Sequence, residues 1–187
     1  MTIYSWIIVA CWAVFLAVWI IAALGAKRNL RSHRGFFIFR IVAFFVVVIA
    51  LGMSRATRYI SLALPVSAAS AWAPVGALLC VAGIGFAVWA RFYLGKNWGM
   101  PMSVKDSPEL VTSGPYTYVR HPIYTGVLLA VLGSALATGW VWLVWFAASG
   151  AYFIYSATQE EKLLSKEFLD AYPAYKKRTK MLVPFIF

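Results

Sequence analysis

Arg120 and His121 place a full charge and a titratable ring directly before a long apolar run, within the stretch GPYTYVRHPIYTG. Pro122 follows them and favours a helix start, because its missing N–H would have no partner in the first turn. A helix start of this kind attracts anions. The two side chains would therefore either add donors to an anion site or serve as an interfacial anchor and a helix cap.

A second charged group follows the apolar run, in the sequence QEEKLLSKEF. Glu160 and Glu161 also have a purely structural explanation, because acidic residues in the first turn of a helix interact favourably with the helix dipole. No charged residue lies between Pro122 and this pair, and as one helix the run would be ~57 Å long, nearly twice the hydrocarbon thickness. The run must therefore fold back, with Thr138 and Gly139 as the hinge, and Glu160 should return close to Pro122.

The helix start at Pro122 and the acidic pair at 160–161 would form one small pocket. The N–H groups of Ile123, Tyr124 and Thr125 would be free at the helix start, and Glu160 would tolerate a cation. A zwitterionic ligand with both a carboxylate and a cation suits such a pocket. Arg91, at the end of an earlier apolar run, is a further candidate, with an interfacial anchor as its alternative role.

The composition indicates a membrane protein. Of the 187 residues, 63% are hydrophobic and 12% are charged, which is more apolar surface than a soluble domain of this length can bury. The length allows a single membrane domain over residues 1–187, with N-terminal spans and an outer segment in 1–72 and a core in 73–187.

The net charge and the positions of the cysteines bear on whether the protein binds nucleic acid or a metal ion. The net charge of +11 suggests nucleic acid, but the basic residues flank apolar runs, as in membrane proteins, so we expect none. Cys11 and Cys80 lie inside apolar runs, away from His33 and His121. We therefore expect both cysteines to pack as small hydrophobes, without a metal site.

The apolar runs predict an all-α polytopic fold with five transmembrane helices. The last two form the hairpin, and a cytosolic C-terminal helix follows. The first run has no basic region before it and no evident cleavage site, so it is predicted to be a retained span. Residues 59–72 are predicted to be an irregular outer segment. The predicted spans before the hairpin lie within residues 1–26, 36–53 and 75–90.

The basic residues predict the orientation. If the loop 27–35 is cytosolic, only Arg55 and Arg58 of the 17 basic residues lie outside, which is the bias of a cytosolic face. All six acidic residues then lie inside, and all come after position 104. The polar chemistry is predicted at the cytosolic face, of an inner or plasma membrane in a prokaryote or of the endoplasmic reticulum in a eukaryote.

Three segments resemble the isoprenylcysteine carboxyl methyltransferase family: ELVTSGPYTYVRHPIYTG, the Glu160-Glu161 pair and FLDAYPAYKKRTKMLVPFI. Order and spacing match from about Arg91 to Phe187. Members are integral membrane enzymes that use S-adenosylmethionine and release S-adenosylhomocysteine, and phospholipid N-methyltransferases are related to them. The resemblance implies methyl transfer to a lipophilic acceptor that enters from the bilayer.

The resemblance also implies roles for individual residues. Arg91 matches the active-site arginine of the family and would bind the acceptor. Ser156 stands where the carboxyl-methylating enzymes of animals have an arginine, which leaves the acceptor open between a prenylated carboxylate and other lipid-like groups. The family's cofactor contacts map onto Pro108, Glu109, Leu110, Val111, Tyr116, His121, Pro122, Ile123, Tyr124 and Glu160.

Two other functions remain as alternatives at the level of the sequence. One is phospholipid N-methylation. The other is nicotinamide-dependent reduction of the sterol reductase type, which shares an HPxYxG-like segment. Those reductases usually have Asn after the proline, and Ile123 in this chain argues against that chemistry. A non-catalytic membrane scaffold that retains the fold is the competing class.

Overall fold

The computed structural model describes residues 2–24, 71–95, 109–139 and 141–187. Within them the chain is helical, and the predicted all-α class holds for this part of the molecule. The described elements, in chain order, are α1 (Ile3–Leu24), α2 (Ala73–Leu94), a 3₁₀ turn (Gly114–Thr117), α3 (Pro122–Thr138), α4 (Val141–Glu167) and α5 (Ala171–Arg178).

Proline and glycine define the helix ends. A proline lies in the first turn of α2 and again in the first turn of α3, where the missing N–H has no cost. Gly95 ends α2 at φ +52°, and its N–H turns back to the carbonyls of Arg91 and Phe92. Gly139 ends α3 at φ +138°. The helical break therefore falls at the predicted hinge.

Three described helices are long and apolar enough to cross a membrane: α1 as far as Ala22, α2 and α4. Helix α3 is apolar but has only 17 residues. The predicted span 36–53 and most of the predicted outer segment lie outside the described residues. The third predicted span, 75–90, is longer at both ends in the structure, since α2 covers Ala73–Leu94. Five spans and a membrane hairpin stay predictions.

Helices α2 and α3 pack with their backbones in direct contact. Gly76 and Gly83 lie seven residues apart on α2, as Gly126 and Gly133 do on α3, so each pair lies on one helix face. A Cβ atom built on Gly83 would lie 2.5 Å from the Gly126 carbonyl oxygen, and one on Gly133 would lie 2.5 Å from the Cys80 nitrogen. Small residues allow this approach in membrane helices. The antiparallel register brings the end of α2 beside the start of α3.

Helix α1 packs against this pair through aromatic and small side chains. The Trp12 indole donates a hydrogen bond to Ser134 Oγ at 3.1 Å. Phe15 joins the same cluster, in which Cys80 is fully buried and Cys11 packs at the margin. The expectation that both cysteines pack as hydrophobes is confirmed, and both are free thiols.

Replacing Gly83 with alanine tests the contact between α2 and α3. The new methyl group meets the backbone of Gly126, so we expect a loss of about 1–3 kcal/mol in the free energy of unfolding. At Gly85 on the same helix, an added methyl group would have no neighbour within 4 Å, and the alanine variant should be neutral or stabilising by up to about 1 kcal/mol. Denaturant titration in detergent measures the free energy of unfolding of the two variants. Equal effects at Gly83 and Gly85 would contradict the close contact of α2 with α3 at Gly83.

Candidate functional site

The segment before α3 is paired with the segment after α5. Val119 and Lys180 form an isolated parallel bridge. The bonds that join the two segments and the first turn of α3 are Arg120 N–H to the Lys180 carbonyl (2.8 Å), His121 N–H to the Met181 carbonyl (3.1 Å) and Thr125 Oγ1–H to the Leu182 carbonyl (2.7 Å). Residues 180–182 therefore fix where α3 begins.

Glu161 is the buried ionic centre of this region, with its side chain 4% exposed. Its Oε1 lies 2.6 Å from Arg120 Nε, and its Oε2 lies 2.6 Å from Lys176 Nζ. The Arg120 guanidinium also donates to the carbonyl oxygens of Lys176 and Thr179. Arg120 is thus engaged within the protein, and the two roles offered by the sequence, a ligand donor or an interfacial anchor, stay predictions.

Glu160, one residue earlier, is more open, with its side chain 25% exposed. The Tyr124 hydroxyl donates to its Oε1 at 2.5 Å, and His121 Nδ1 lies 3.5 Å from its Oε2. The Tyr124 ring is stacked on His121 at 5.5 Å between ring centroids and on Phe153 at 4.5 Å. The contact expected between Glu160 and the start of α3 is therefore present.

The helix start offers fewer free N–H groups than expected. Thr125 N–H bonds to the His121 carbonyl at 3.1 Å, so the prediction that this N–H is free was wrong. His121 is the residue before the helix, and its carbonyl accepts the first regular helical hydrogen bond. Ile123 and Tyr124 have no carbonyl four residues back within the helix, which leaves their two N–H groups for a ligand.

His121 lies between the two carboxylates. Its Nε2 is 3.6 Å from Glu161 Oε1, an ion-pair distance too long for a hydrogen bond. Burial alone lowers the pKa of this imidazole, but its contacts with Glu160 and Glu161 outweigh burial, so the pKa lies above its ordinary value. The ring is therefore a cation over more of the neutral range than a free histidine.

Tyr116 connects this centre to the end of α2. Its carbonyl accepts a hydrogen bond from the Tyr175 hydroxyl at 2.6 Å, and its own hydroxyl lies 3.5 Å from the Ala90 carbonyl. Burial, Tyr175 and Glu160 raise the pKa of Tyr116, while Arg91 lowers it, and the pKa is above its ordinary value. Tyr116 is thus within electrostatic range of Arg91 on one side and Glu160 on the other.

Arg91 is buried, with 4% of its surface exposed. Its guanidinium donates to the Gly95 carbonyl and to the Ala22 carbonyl, each at 2.8 Å. It thereby ties the end of α2 to the end of α1. This burial does not fit an interfacial anchor, and its predicted catalytic and acceptor-binding role stays a prediction.

The other predicted site residues lie in different surroundings. Pro108 is outside the described residues. An irregular segment before the 3₁₀ turn contains Glu109, which is exposed, and Leu110 and Val111, which are half-buried. Ser156 is fully buried on α4, and its hydroxyl has no hydrogen-bond partner among the described residues. Within those same residues, no three potential metal ligands lie together.

Sequence reasoning missed three residues that hold this centre: Lys176, which pairs with Glu161, Tyr175, which donates to the Tyr116 carbonyl, and Thr179, whose carbonyl accepts from Arg120. Lys176 and Tyr175 lie on α5, and Thr179 follows it, within the motif AYPAYKKRTK. The only local signal was the coincidence of an acidic pair with a basic cluster shortly after it. That signal does not indicate which of the two glutamates forms an ion pair with the basic cluster.

Fold and site define a helical protein with membrane-length helices and a charged, aromatic centre where α3 begins. The phospholipid methyltransferase family matches residues 72–171, which is more than half of the chain. The chain therefore belongs to the phospholipid methyltransferase family. The resemblance to the isoprenylcysteine carboxyl methyltransferases is also confirmed by the relatives that the chain matches.

Three relatives show the range of this similarity. A protein-S-isoprenylcysteine O-methyltransferase of Schizosaccharomyces pombe is 37% identical over 101 residues, 52% of this chain and 43% of that protein. A nickel-cobalt-cadmium resistance protein of Alcaligenes xylosoxydans xylosoxydans is 32% identical over 94 residues, 49% of this chain and 44% of that protein. Methanethiol S-methyltransferase 1 of Bradyrhizobium diazoefficiens is 35% identical over 78 residues, 42% of this chain and 27% of that protein. The chain thus spans less than half the length of each of these three relatives.

Substituting Glu161 with glutamine tests the buried ionic centre. The change leaves the Arg120 guanidinium buried without its anion, so we expect a loss of about 2–4 kcal/mol in the free energy of unfolding. The lost pair with Lys176 adds little to this figure, because the Lys176 side chain is half exposed and its charge is screened by solvent. Glu167→Gln, at the exposed end of α4, removes the same charge and should change stability by less than ~0.5 kcal/mol. Similar losses in the two variants would refute a special role for Glu161.

The raised pKa of His121 predicts how stability depends on pH. Since the folded-state pKa lies above the unfolded value near 6.5, its contribution is fully present below that value and is lost as the pH rises through the folded-state pKa. The melting temperature should therefore fall on the alkaline side of pH 6.5, and it should fall less in His121→Gln. An identical alkaline decline in both proteins would show that His121 is not the group responsible.

Proposed function

We propose that this protein transfers a methyl group from S-adenosylmethionine to a lipid-like or prenylated acceptor at the cytosolic face of its membrane. The observation that carries the proposal is the open Glu160 carboxylate, held by Tyr124 against the start of α3. Membership of the phospholipid methyltransferase family supports it independently.

The residues present fit the cofactor. S-Adenosylmethionine carries a carboxylate, an ammonium, a ribose diol, a sulfonium and an adenine ring. Glu160 can accept from an ammonium or a hydroxyl, and the N–H groups of Ile123 and Tyr124 can donate to a carboxylate. The adjacent Tyr124 and Phe153 rings offer an apolar surface. Glu109, Leu110 and Val111, with Pro108 and Tyr116, complete the proposed cofactor site.

S-Adenosylmethionine held at this site would supply an electrophilic methyl group: a lone pair of the acceptor would form the new bond to carbon while the carbon–sulfur bond breaks, with S-adenosylhomocysteine as the second product. The protein's contribution to such a displacement is mainly position. Glu160 and the start of α3 would hold the methyl donor. Beside its bonds to the carbonyls of Gly95 and Ala22, the planar Arg91 guanidinium suits an anionic acceptor group, with Ser156 as a further acceptor contact.

The charges around the site favour an acceptor that needs no base. The pKa of His121 is raised, because Glu160 and Glu161 outweigh its burial, so less of this imidazole is in the basic, neutral form than in a free histidine. Glu161 is occupied by Arg120 and Lys176. A carboxylate acceptor with a pKa near ~4 is already ionised at neutral pH, whereas an amine with a pKa near ~10 must first lose a proton. A carboxylate acceptor is therefore favoured, and a thiol, with a pKa near ~8.5, ionises more readily than an amine. The names of two relatives also suggest these two acceptor types.

A second candidate is methylation of a phospholipid headgroup amine, which the description of the family favours. It uses the same donor site and the same membrane access. The two candidates differ in the labelled product, since a methyl ester is released by mild base and an N-methyl group is not. Membrane extracts incubated with radiolabelled S-adenosylmethionine and purified protein therefore distinguish them.

Binding of S-adenosylhomocysteine to purified protein in nanodiscs is the first test of the proposal. We expect saturable binding at micromolar concentrations and a higher melting temperature, because a ligand of the native state stabilises it. Glu160→Ala should weaken binding by about 1–3 kcal/mol, the value of a hydrogen bond to a charged group. Glu167→Gln is the matched control and should bind normally. Folded wild-type protein without a thermal shift at saturating ligand would exclude the proposed donor.

Arg91→Ala tests the division between donor and acceptor sites. Cofactor affinity should stay nearly unchanged, while single-turnover methyl transfer should fall by a factor on the order of a hundred. Arg91→Lys keeps the charge but loses the fork, and it should restore little activity. Melting temperatures of both variants control for the lost bonds to Ala22 and Gly95. Loss of cofactor binding with normal transfer at saturating cofactor would reverse the assignment.

A further inference from the structure

The last residues form a closed turn, residues 182–187, which we name the C-terminal turn. Its backbone closes on itself through bonds from the N–H groups of Leu182 and Val183 to the Phe187 carbonyl, at 2.7 and 2.6 Å, and from Phe187 N–H back to Val183 at 3.0 Å. Phe185 has φ +65°, a left-handed conformation that a bulky residue rarely adopts. The turn therefore has a defined shape that presents particular side chains.

The C-terminal turn presents apolar side chains outward. Phe185 is 92% exposed and Ile186 is 77% exposed. Leu182 points the other way and is buried in a cluster with Tyr124 and Ala157. Two large apolar side chains held side by side in water would be unfavourable.

The depth of the turn indicates what surrounds it. The cluster around Leu182 also includes Leu128 and Phe153, which lie more than one helical turn inside the apolar parts of α3 and α4. The C-terminal turn therefore lies beside the start of α3 and the end of the apolar part of α4, where a boundary between hydrocarbon and water is expected. Phe185 and Ile186 are of the types that bury in this boundary layer.

The residues just before the turn supply positive charge. Lys177, Arg178 and Lys180 are exposed, whereas Lys176 is paired with Glu161. No acidic residue occurs from Ala171 onward in this sequence. A basic group beside an apolar one matches an anionic lipid surface, which attracts each Lys or Arg near it.

We propose that the C-terminal turn inserts into the headgroup layer of the protein's own membrane, with Lys177, Arg178 and Lys180 on anionic headgroups. A second copy of the chain would need a neutral or acidic surface to face this basic group, whereas the apolar parts of α3 and α4 beside the turn suit lipid at this depth. The occupant that fits both the charge and the position is anionic phospholipid.

This anchor would act on the site through the backbone. The carbonyls of Lys180, Met181 and Leu182 hold the segment that begins α3. Lipid that immobilises the C-terminal turn therefore immobilises the start of α3, where His121 and Tyr124 meet Glu160. Anionic lipid should therefore tighten the binding of S-adenosylmethionine and S-adenosylhomocysteine, a consequence that rests on the proposed function.

Spin labelling tests the insertion without reference to activity. A nitroxide is attached at Ile186→Cys, and a control label at Lys166→Cys on the exposed end of α4, in protein whose Cys11 and Cys80 are replaced by alanine. Nanodiscs contain phosphatidylcholine alone or an equal mixture with phosphatidylglycerol. We expect the label at 186 to collide more with oxygen than with a water-soluble nickel chelate, most strongly in the anionic nanodiscs, and the label at 166 to remain in water. A water-exposed label at 186 in both lipids, or a dipolar distance between two labelled copies, would overturn the proposal.

A charge variant tests the coupling to the site. Wild-type protein should bind S-adenosylhomocysteine at least ~5-fold more tightly in the anionic nanodiscs, the lower range of coupling between sites. Lys177→Gln with Lys180→Gln should lose this difference, and the matched control Lys162→Gln with Lys166→Gln should keep it. Equal lipid dependence in the two double variants would overturn the coupling. Absence of wild-type binding in both lipids would instead count against the proposed function, and the spin labels would still decide the insertion.

Discussion

The buried carboxylate of Glu161 is the interaction on which the rest of the site depends. It draws together three parts of the chain that are far apart in sequence: α4 itself, Arg120 before α3, and Lys176 on α5. A carboxylate and a guanidinium that are both removed from water are costly unless each is fully partnered. Because Arg120 also bonds to the carbonyl of Thr179, the ion pair fixes the segment that follows α5 as well.

The two adjacent glutamates differ in their surroundings, which suits Glu161 to a structural role and Glu160 to the proposed ligand-binding role. Glu161 is saturated by cations of the protein, which sets the rotation of α4. That rotation turns Glu160 toward His121 and Tyr124, where it stays partly open. On the other side, the close contact of α2 and α3 at Gly83 and Gly126 brings the end of α2 to the same level. The groups proposed to bind the methyl donor and the acceptor are thus positioned in two separate ways, one by an ion pair and one by close helix packing.

Part of this arrangement was predictable from the sequence. The charge-free run after Pro122 is too long for one crossing, so the return of Glu160 to the helix start followed from length alone. The partners of Arg120 did not follow, because Glu161, Lys176 and Thr179 are far from it in sequence. Pairing of residues 119–121 with 180–182 has no local pattern, since it is a single bridge. The seven-residue spacing of Gly76 and Gly83 was visible, but spacing alone does not identify the facing helix.

If the Arg120–Glu161 ion pair holds the donor site in place, a double-mutant cycle on donor affinity tests this most directly. Dissociation constants for S-adenosylhomocysteine are measured for Arg120→Gln, Glu161→Gln and the double variant in nanodiscs. Each single change should weaken binding on the order of tenfold, and the double change should weaken it no further than the worse single change, since both remove one interaction. Additive losses, or normal affinity in all three folded variants, would contradict this role of the ion pair.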